Sequence, residues 1–271
     1  MPLTTLQRDV LAVLARQRSE ESHFAGSVVL HCEDASARYS KDFDIFHDAE
    51  SAVARSSAAD VEALRQAGFE VSHAAPLANW EKAETSFRRA SVRRGEASVE
   101  VDWALDSAYR YFPIERDPEL GWRIHRFDAA TNKALALASR SVTRDFVDIL
   151  EYAKLYTLPA LCWAACGKDL GYTPFSLLEF MRRFARIDPA GLAEIQARSM
   201  DPRAMKEEWT KLADAAHIAM KRIADEQTEL PIGVAFVDAN GHPGWIGDDP
   251  TLSIHAPSVR GCWPTIRGLD P

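Results

Sequence analysis

Residues Phe24 to Asp48, FAGSVVLHCEDASARYSKDFDIFHD, place a Gly-Ser pair at 26 and 27 ahead of a short apolar run, and then an Asp-x-Asp at 42 and 44 inside an alternating segment. DFDIF has the period of two expected of a strand. Asp42 and Asp44 then project from one face while Phe43 and Ile45 enter the core from the other. Like charges that close repel, and burial raises the pKa of at least one of them unless a cation sits between. A divalent metal removes the conflict, and magnesium suits an all-oxygen site with one or two protein carboxylates. Gly26 would let backbone approach a phosphate closely. Ser27 offers a hydroxyl and an amide at the start of a helix reading SVVLHCED, where the dipole favours an anion. Each feature alone also fits a blander account, with solvated acids on an edge strand and a glycine that makes a turn.

Outward from this stretch the chain reads as α+β: an amino-terminal part built on a mixed sheet with flanking helices, residues 1–127, followed by a mostly helical part, residues 128–271. Leu6, Val10, Leu11 and Leu14 share one helical face, with Thr4 or Thr5 as cap. A helix is expected from about Ala49 to Gln66, stopped at Gly68. The segments FEVSHAAP, WEKAETSFRRASV and ASVEVDWAL read as extended, the last two as a hairpin turned at Arg94-Gly95. Helical patterns follow in NKALALASR, TRDFVDILEYAKLY, PALCWAAC, PFSLLEFMRRFARI and Arg203 to Asp225. A terminal hairpin turns at Asn240-Gly241, and a Pro- and Gly-rich tail closes the chain.

The order small-small, apolar helix, basic loop, Asp-hydrophobic-Asp resembles the signature of the DNA polymerase beta-like nucleotidyltransferase superfamily. More closely it resembles the AbiEii/AbiGii-type nucleotidyltransferase toxin family. The pattern stands here as Gly26-Ser27, VVL, and Arg38-Tyr39-Ser40-Lys41-Asp42-Phe43-Asp44. A second block is similar too: Lys133 in NKALALASR, then Arg140, then Arg144-Asp145-Phe146-Val147-Asp148. The resemblance covers about residues 3 to 155. Members often carry Gly-Gly where this chain has Gly26-Ser27, and the third superfamily carboxylate rests on position alone, with Glu100 and Asp102 on one face of ASVEVDWAL and Asp102 preferred.

The resemblance implies a nucleotidyltransferase-like fold and Mg²⁺-dependent transfer of a nucleoside monophosphate from a nucleoside triphosphate, with release of pyrophosphate. It implies Asp42, Asp44 and Asp102 as metal ligands in a two-metal site that could also take Mn²⁺, with Asp102 also a possible general base. Ser27 would bind the β or γ phosphate, with Gly26, Arg38, Ser40, Arg140 and Arg144 around the nucleotide. Lys133 would be a point charge on the triphosphate, and Asp145, beside Arg144, would orient Lys133 or the acceptor. The implied acceptor is RNA such as a tRNA end, and the implied partner is a cognate antitoxin protein. Two alternatives stay open: a catalytically quiet nucleotide-binding or interaction module, and transfer to a small molecule of the aminoglycoside kind.

The remaining features narrow the partners. Arg88, Arg89, Arg93 and Arg94 in FRRASVRRG surround one hairpin, as solvated edge-strand charge or as a clamp on an RNA backbone with Phe87 and Trp80 stacking on bases. A formal net charge of −8 excludes a protein that is basic all over, so a polyanion must be met locally. Arg182 to Arg186 read as the polar face of a helix, and the eight histidines show no metal spacing. Cys32, Cys162, Cys166 and Cys262 read as reduced, mostly packed thiols. With no secretory signal pattern and no long apolar run, the expected location is cytoplasmic, away from membranes.

Overall fold

The computed structural model describes residues 3–31, 36–73 and 83–265. Trp80 and Cys32 lie outside them. The chain forms two compact units: Met1–Ala108 with Ile114–His125 and Ile195–Arg198, and Tyr109–Pro113 with Arg126–Glu194 and Ser199–Pro271.

The first unit is the expected mixed sheet with flanking helices. Helix α1 (Thr5–Ala15) opens with a capping box in which Thr4 and Gln7 satisfy each other's amides. Strand β1 (Ser22–Ala25) leads through Gly26 into the single turn α2 (Val28–His31). Then come β2 (Asp42–His47), α3 (Glu50–Gln66), β3 (Glu70–His73), the turn α4 (Ala83–Ser86), β4 (Phe87–Arg94) and β5 (Ala97–Leu105). After β6 (Tyr109–Arg110), which belongs to the second unit, β7 (Glu115–Asp117) and β8 (Gly121–Arg123) complete the sheet. Its order is β3-β4-β5-β2-β1-β8-β7; β2 runs parallel to β5 and β1 to β8, and the other pairs are antiparallel.

Two expectations about this unit are corrected. Ala83–Ser86, expected to be extended, is a helical turn. The β4–β5 loop is Gly95-Glu96 rather than Arg94-Gly95, because Arg94 pairs with Ala97 and Gly95 takes the positive φ of 62°. The hairpin β7–β8 was not anticipated, although its Asp117-Pro118 turn is a readable signal.

One face of the sheet is a core. Phe43, Ile45, Val101 and Trp103 alternate inward on β2 and β5 and are fully buried, contributing about 2 kcal/mol each, and α3 packs against these strands. Among them lies a polar knot. Buried Arg18 pairs with buried Asp60, donates to the Leu14 carbonyl at 3.0 Å and to Ser22 Oγ at 2.7 Å, and Trp103 Nε1 donates to Asp60 at 2.7 Å. Burial pushes Asp60 above the ordinary carboxyl range even against the Arg18 charge, and lowers Arg18. His47 on the same face contacts Ser22 Oγ at 3.1 Å and the Ala104 carbonyl at 3.3 Å, and burial brings its pKa down to about 4.

The second unit is mostly helical, with α5 (Arg126–Ser139), α6 (Thr143–Tyr152), α7 (Leu158–Ala165), α8 (Pro174–Phe184), α9 (Pro189–Ile195) and α10 (Pro202–Glu226). Helices α7, α8 and α10 each carry a proline in the first turn, where its missing N–H costs nothing. The buried Asp128 carboxylate at the start of α5 accepts from the amides of Tyr111 and Phe112, both at 2.9 Å, and pairs with Lys168 at 2.7 Å, which ties the 109–113 segment to the helices. The expected terminal hairpin is present as β9 (Ala235–Val237) and β10 (Pro243–Gly244), and Gly241 in its loop has a φ of 83°. The following residues do more than tail off. β11 (Ser253–His255) adds to β9 and β12 (Ser258–Val259) pairs with β6.

Candidate active site

Asp42 and Asp44 stand on β2 with alternating burial, half-exposed where Phe43 and Ile45 are buried. Parallel register sets Glu100 of β5 beside Asp42 and Asp102 beside Asp44. Neighbouring strands run about 4.8 Å apart and paired residues share a face, so four carboxylates crowd one patch of sheet. β1 completes the row, with Ala25 across from Asp44. The chain then turns at Gly26 with a φ of 62°, and a Cβ there would collide with Asp44 Oδ2. No L side chain fits: the turn needs a glycine for its dihedral, and the carboxylate occupies the space where a side chain would begin. Gly26 therefore makes room for Asp44, a role the sequence did not suggest.

The loop before β2 is held from several sides. Gln7 Nε2 donates to the Ser40 carbonyl at 2.6 Å, and the Ser40 hydroxyl donates to the Asp42 carbonyl at 2.8 Å. Ser40 has one hydroxyl proton, so Ser27 Oγ, 2.6 Å away, is the donor in their contact. The Ser27 hydroxyl, expected on a phosphate, is thus spent on Ser40. Helix α2 is described over Val28–His31, and the Cys32–Asp34 end of the expected SVVLHCED lies outside the described residues. Arg38 is buried and donates to the Tyr39 carbonyl at 2.7 Å, beside the backbone bridge from Arg38 to Gln196.

Asp102 is 5 % exposed and Glu100 about half exposed. Both Asp102 oxygens are taken by Arg89, directly opposite on β4, with Nε to Oδ1 at 2.6 Å and Nη2 to Oδ2 at 2.5 Å. Arg89 Nε also lies 3.3 Å from Glu100. Hydrogen bonding to Asp102, aided by the charges of Glu100 and Asp42, raises the Arg89 pKa further. This partner was missed, for a definite reason. A turn at Arg94-Gly95 would set Arg89 across from Glu100; the observed turn at Gly95-Glu96 sets it across from Asp102. Arg88 donates to Ser57 at 3.3 Å, and Arg94 pairs with Asp9 at 2.6 Å and lies over Phe69.

The donor set suits a hard divalent cation in part. Asp42 and Asp44 offer carboxylate oxygens on one face over the Gly26 cradle, whereas Asp102 faces Arg89. Among the described residues, no three His, Cys, Asp or Glu side chains converge closely enough to hold an ion as they stand.

The second sequence block forms its own cluster within the second unit. Lys133 of α5 pairs with Asp145 at 2.8 Å and Asp148 at 3.0 Å, both acids on α6 and both fully buried, and Arg140 pairs with Asp145 at 2.7 Å. Burial alone would push Asp145 up; the Lys133 charge and the Arg140 hydrogen bond outweigh it and hold the carboxyl below its ordinary range. Arg144 is half-buried on the same helix.

No family-level sequence pattern matches the chain, and no curated protein matches it in sequence. In structure it is similar to JHP933 from Helicobacter pylori at a TM-score of 0.52 and 16% identity, over 82% of this chain and 94% of that one. A candidate nucleotidyltransferase from H. pylori matches at a TM-score of 0.52 and 16% identity, over 82% and 99%. MenT4, a nucleotidyltransferase toxin from Mycobacterium tuberculosis, matches at a TM-score of 0.45 and 14% identity, over 76% and 91%. The two H. pylori likenesses show a shared α+β fold, a mixed sheet with flanking helices followed by a mostly helical part.

Proposed function

We propose that this protein is a Mg²⁺-dependent nucleotidyltransferase that passes a nucleoside monophosphate from a nucleoside triphosphate to an acceptor hydroxyl and releases pyrophosphate. The observation that carries the reading is the Gly26 turn beneath Asp44: a carboxylate seated where only glycine leaves room, with Asp42 two residues earlier on the same face. A solvated edge-strand acid needs no such cradle.

Asp42 and Asp44 would hold Mg²⁺ (or Mn²⁺), which supplies neutralisation of the charge that develops on the transferring and leaving phosphates. Gln7, Ser27 and Ser40 fix the loop from which β2 starts, so the two carboxylates are oriented before substrate arrives. A role of Lys133, Arg140 and Arg144 toward the triphosphate rests on the sequence resemblance; within the second unit Asp145 and Asp148 hold the Lys133 ammonium. An RNA acceptor such as a tRNA end, a toxin role and a cognate antitoxin rest on the sequence resemblance, and a cytoplasmic site of action rests on the sequence showing neither a secretory signal pattern nor a long apolar run. Among the described residues no helix is long and apolar enough to cross a membrane.

The engagement of both Asp102 oxygens by Arg89 favours a second reading, a catalytically quiet nucleotide-binding or interaction module. One experiment separates the two: incubate the purified chain with α-labelled nucleoside triphosphate, Mg²⁺ and total RNA, protein or small-molecule acceptors. The enzyme transfers label and releases pyrophosphate, and Asp42→Asn and Asp44→Asn each abolish both with an unchanged melting temperature. Wild-type turnover in either variant, or no transfer to any acceptor, sinks the proposal.

A further inference from the structure

We infer that Arg89 is a built-in counter-cation for the third carboxylate: it competes with the divalent ion for Asp102, and must leave Asp102 before that side chain can serve the metal site. This rests on the metal-dependent reading above. Three neighbouring strands bring the groups to one level of the sheet, Arg89 on β4, Asp102 on β5 and Asp44 on β2, with Glu100 and Asp42 one pleat further along.

The geometry is that of competition. A carboxylate ligates a metal through the oxygens and in-plane lone pairs that a guanidinium fork engages. Here the fork takes both oxygens, and the Asp102 side chain is 8 % exposed, so solvent cannot carry its charge if Arg89 withdraws. The two partners are unequal in freedom. Arg89 is 42 % exposed on a strand pairing with the outer strand β3, so once an incoming cation takes over the Asp102 charge its guanidinium can swing into water while Asp102 stays. Released, it is a mobile cation beside Asp42 and Glu100, placed to meet a phosphate. A plain surface ion pair would have two exposed partners and no further acids around it.

The test is Mn²⁺ affinity, read by the electron paramagnetic resonance signal of the free ion, in the presence of a non-hydrolysable nucleoside triphosphate. Wild type, Arg89→Gln, Arg89→Lys, Asp102→Asn and the Arg89→Gln/Asp102→Asn double variant are compared, each checked by thermal melting. Removing the competitor should tighten Mn²⁺ binding about tenfold, within the usual range of site-to-site coupling. Arg89→Lys, which keeps the charge but loses the fork, should fall between. In the Asp102→Asn background the Arg89→Gln gain should shrink to less than about twofold, since a general change in local charge would persist there and competition for Asp102 would not. If wild type binds Mn²⁺ and Arg89→Gln binds it equally or more weakly, or if the gain survives in the double variant, the inference is overturned while the metal reading stands. If neither wild type nor Arg89→Gln binds Mn²⁺, both fall.

Discussion

The two faces of the sheet use the same strands for opposite ends. On β5, Trp103 points into the core, where its indole donates to Asp60, and its neighbour Asp102 points the other way into a row of carboxylates. Below the sheet each buried charge is matched: Arg18 meets Asp60, and Leu14, Ser22 and Trp103 complete their hydrogen bonds. Above it, Asp42, Asp44, Glu100 and Asp102 gather with Arg89 bonded to the last. The lower face is arranged for stability and gains nothing from a ligand. The upper face gathers acids on one patch, and under the proposed reading a divalent cation sits among them. Substitutions should therefore separate: changes below alter melting without touching chemistry, and changes above do the reverse.

The largest break should come from below. Asp60→Asn leaves a buried Arg18 guanidinium without its counter-charge, which costs about 3–5 kcal/mol and lowers the melting temperature by about 10 °C. Replacing the pair together, Arg18→Met with Asp60→Leu, should cost less than either single change, because no uncompensated charge remains. Thermal melting of Asp60→Asn, Arg18→Met, Asp60→Leu and the double variant decides it. A double variant as unstable as Asp60→Asn would mean that the hydrogen bonds to Leu14, Ser22 and Trp103 matter more than the charge.

The upper face was the more legible one in the sequence, since the period of two in DFDIF and ASVEVDWAL fixes which residues share a side. The lower knot was not read. Asp60 lies on the helical face of Val53, Ser57, Val61 and Leu64, and an acid on a buried stripe was the available sign. Its partner Arg18 comes from a loop 42 residues away, which no local pattern links to it. Pairings across turns depended on the turn itself, and one misplaced residue moved Arg89 from Asp102 to Glu100. Close approach was also invisible: Gly26-Ser27 was legible as a pair, but the collision a Cβ would make with Asp44 exists only in three dimensions.

On the upper face, Asp102 and Glu100 should differ in chemistry. Asp102 is nearly buried and stands level with Asp44, whereas Glu100 is half exposed and level with Asp42, one pleat nearer the hairpin. Asp102→Asn should cut single-turnover transfer by at least about a hundredfold, the scale of losing a positioned acid or base, with nucleotide affinity kept. Glu100→Gln should stay within about threefold of wild type, as expected of a solvated carboxylate. The reverse ranking would move the third carboxylate to Glu100.

A smaller effect follows from His47, buried with the lower face. Its pKa is about 4 in the fold against an ordinary 6.5, so between those values the unfolded chain binds a proton that the folded chain does not. Stability from this group is complete above pH 6.5 and drains away as the pH falls toward 4, by on the order of 2 kcal/mol. Asp60, raised by burial, slopes the other way, but it does so equally in a variant that keeps it. The difference in unfolding free energy between wild type and His47→Gln should therefore shrink by that amount from pH 7 to pH 4. A constant difference would mean that His47 titrates alike in both states.

The smallest effect concerns the arginine hairpin as an RNA clamp, and here the structure lowers the expectation from four phosphate contacts. Arg89 is held by Asp102, Arg94 by Asp9 with its guanidinium over Phe69, and Arg88 reaches Ser57, while Arg93 is exposed near the turn. Each phosphate contact contributes about one unit of slope to the dependence of log affinity on log salt. Arg93→Gln should then reduce the slope by about one. Arg88→Gln and Arg94→Gln should change it by much less, because their side chains would first have to give up internal partners. RNA titrations between about 50 and 200 mM salt measure this directly. A loss of about one unit from each of the three would show that the pairs open on RNA and restore the clamp, whereas no change from Arg93→Gln would remove the hairpin from the RNA path.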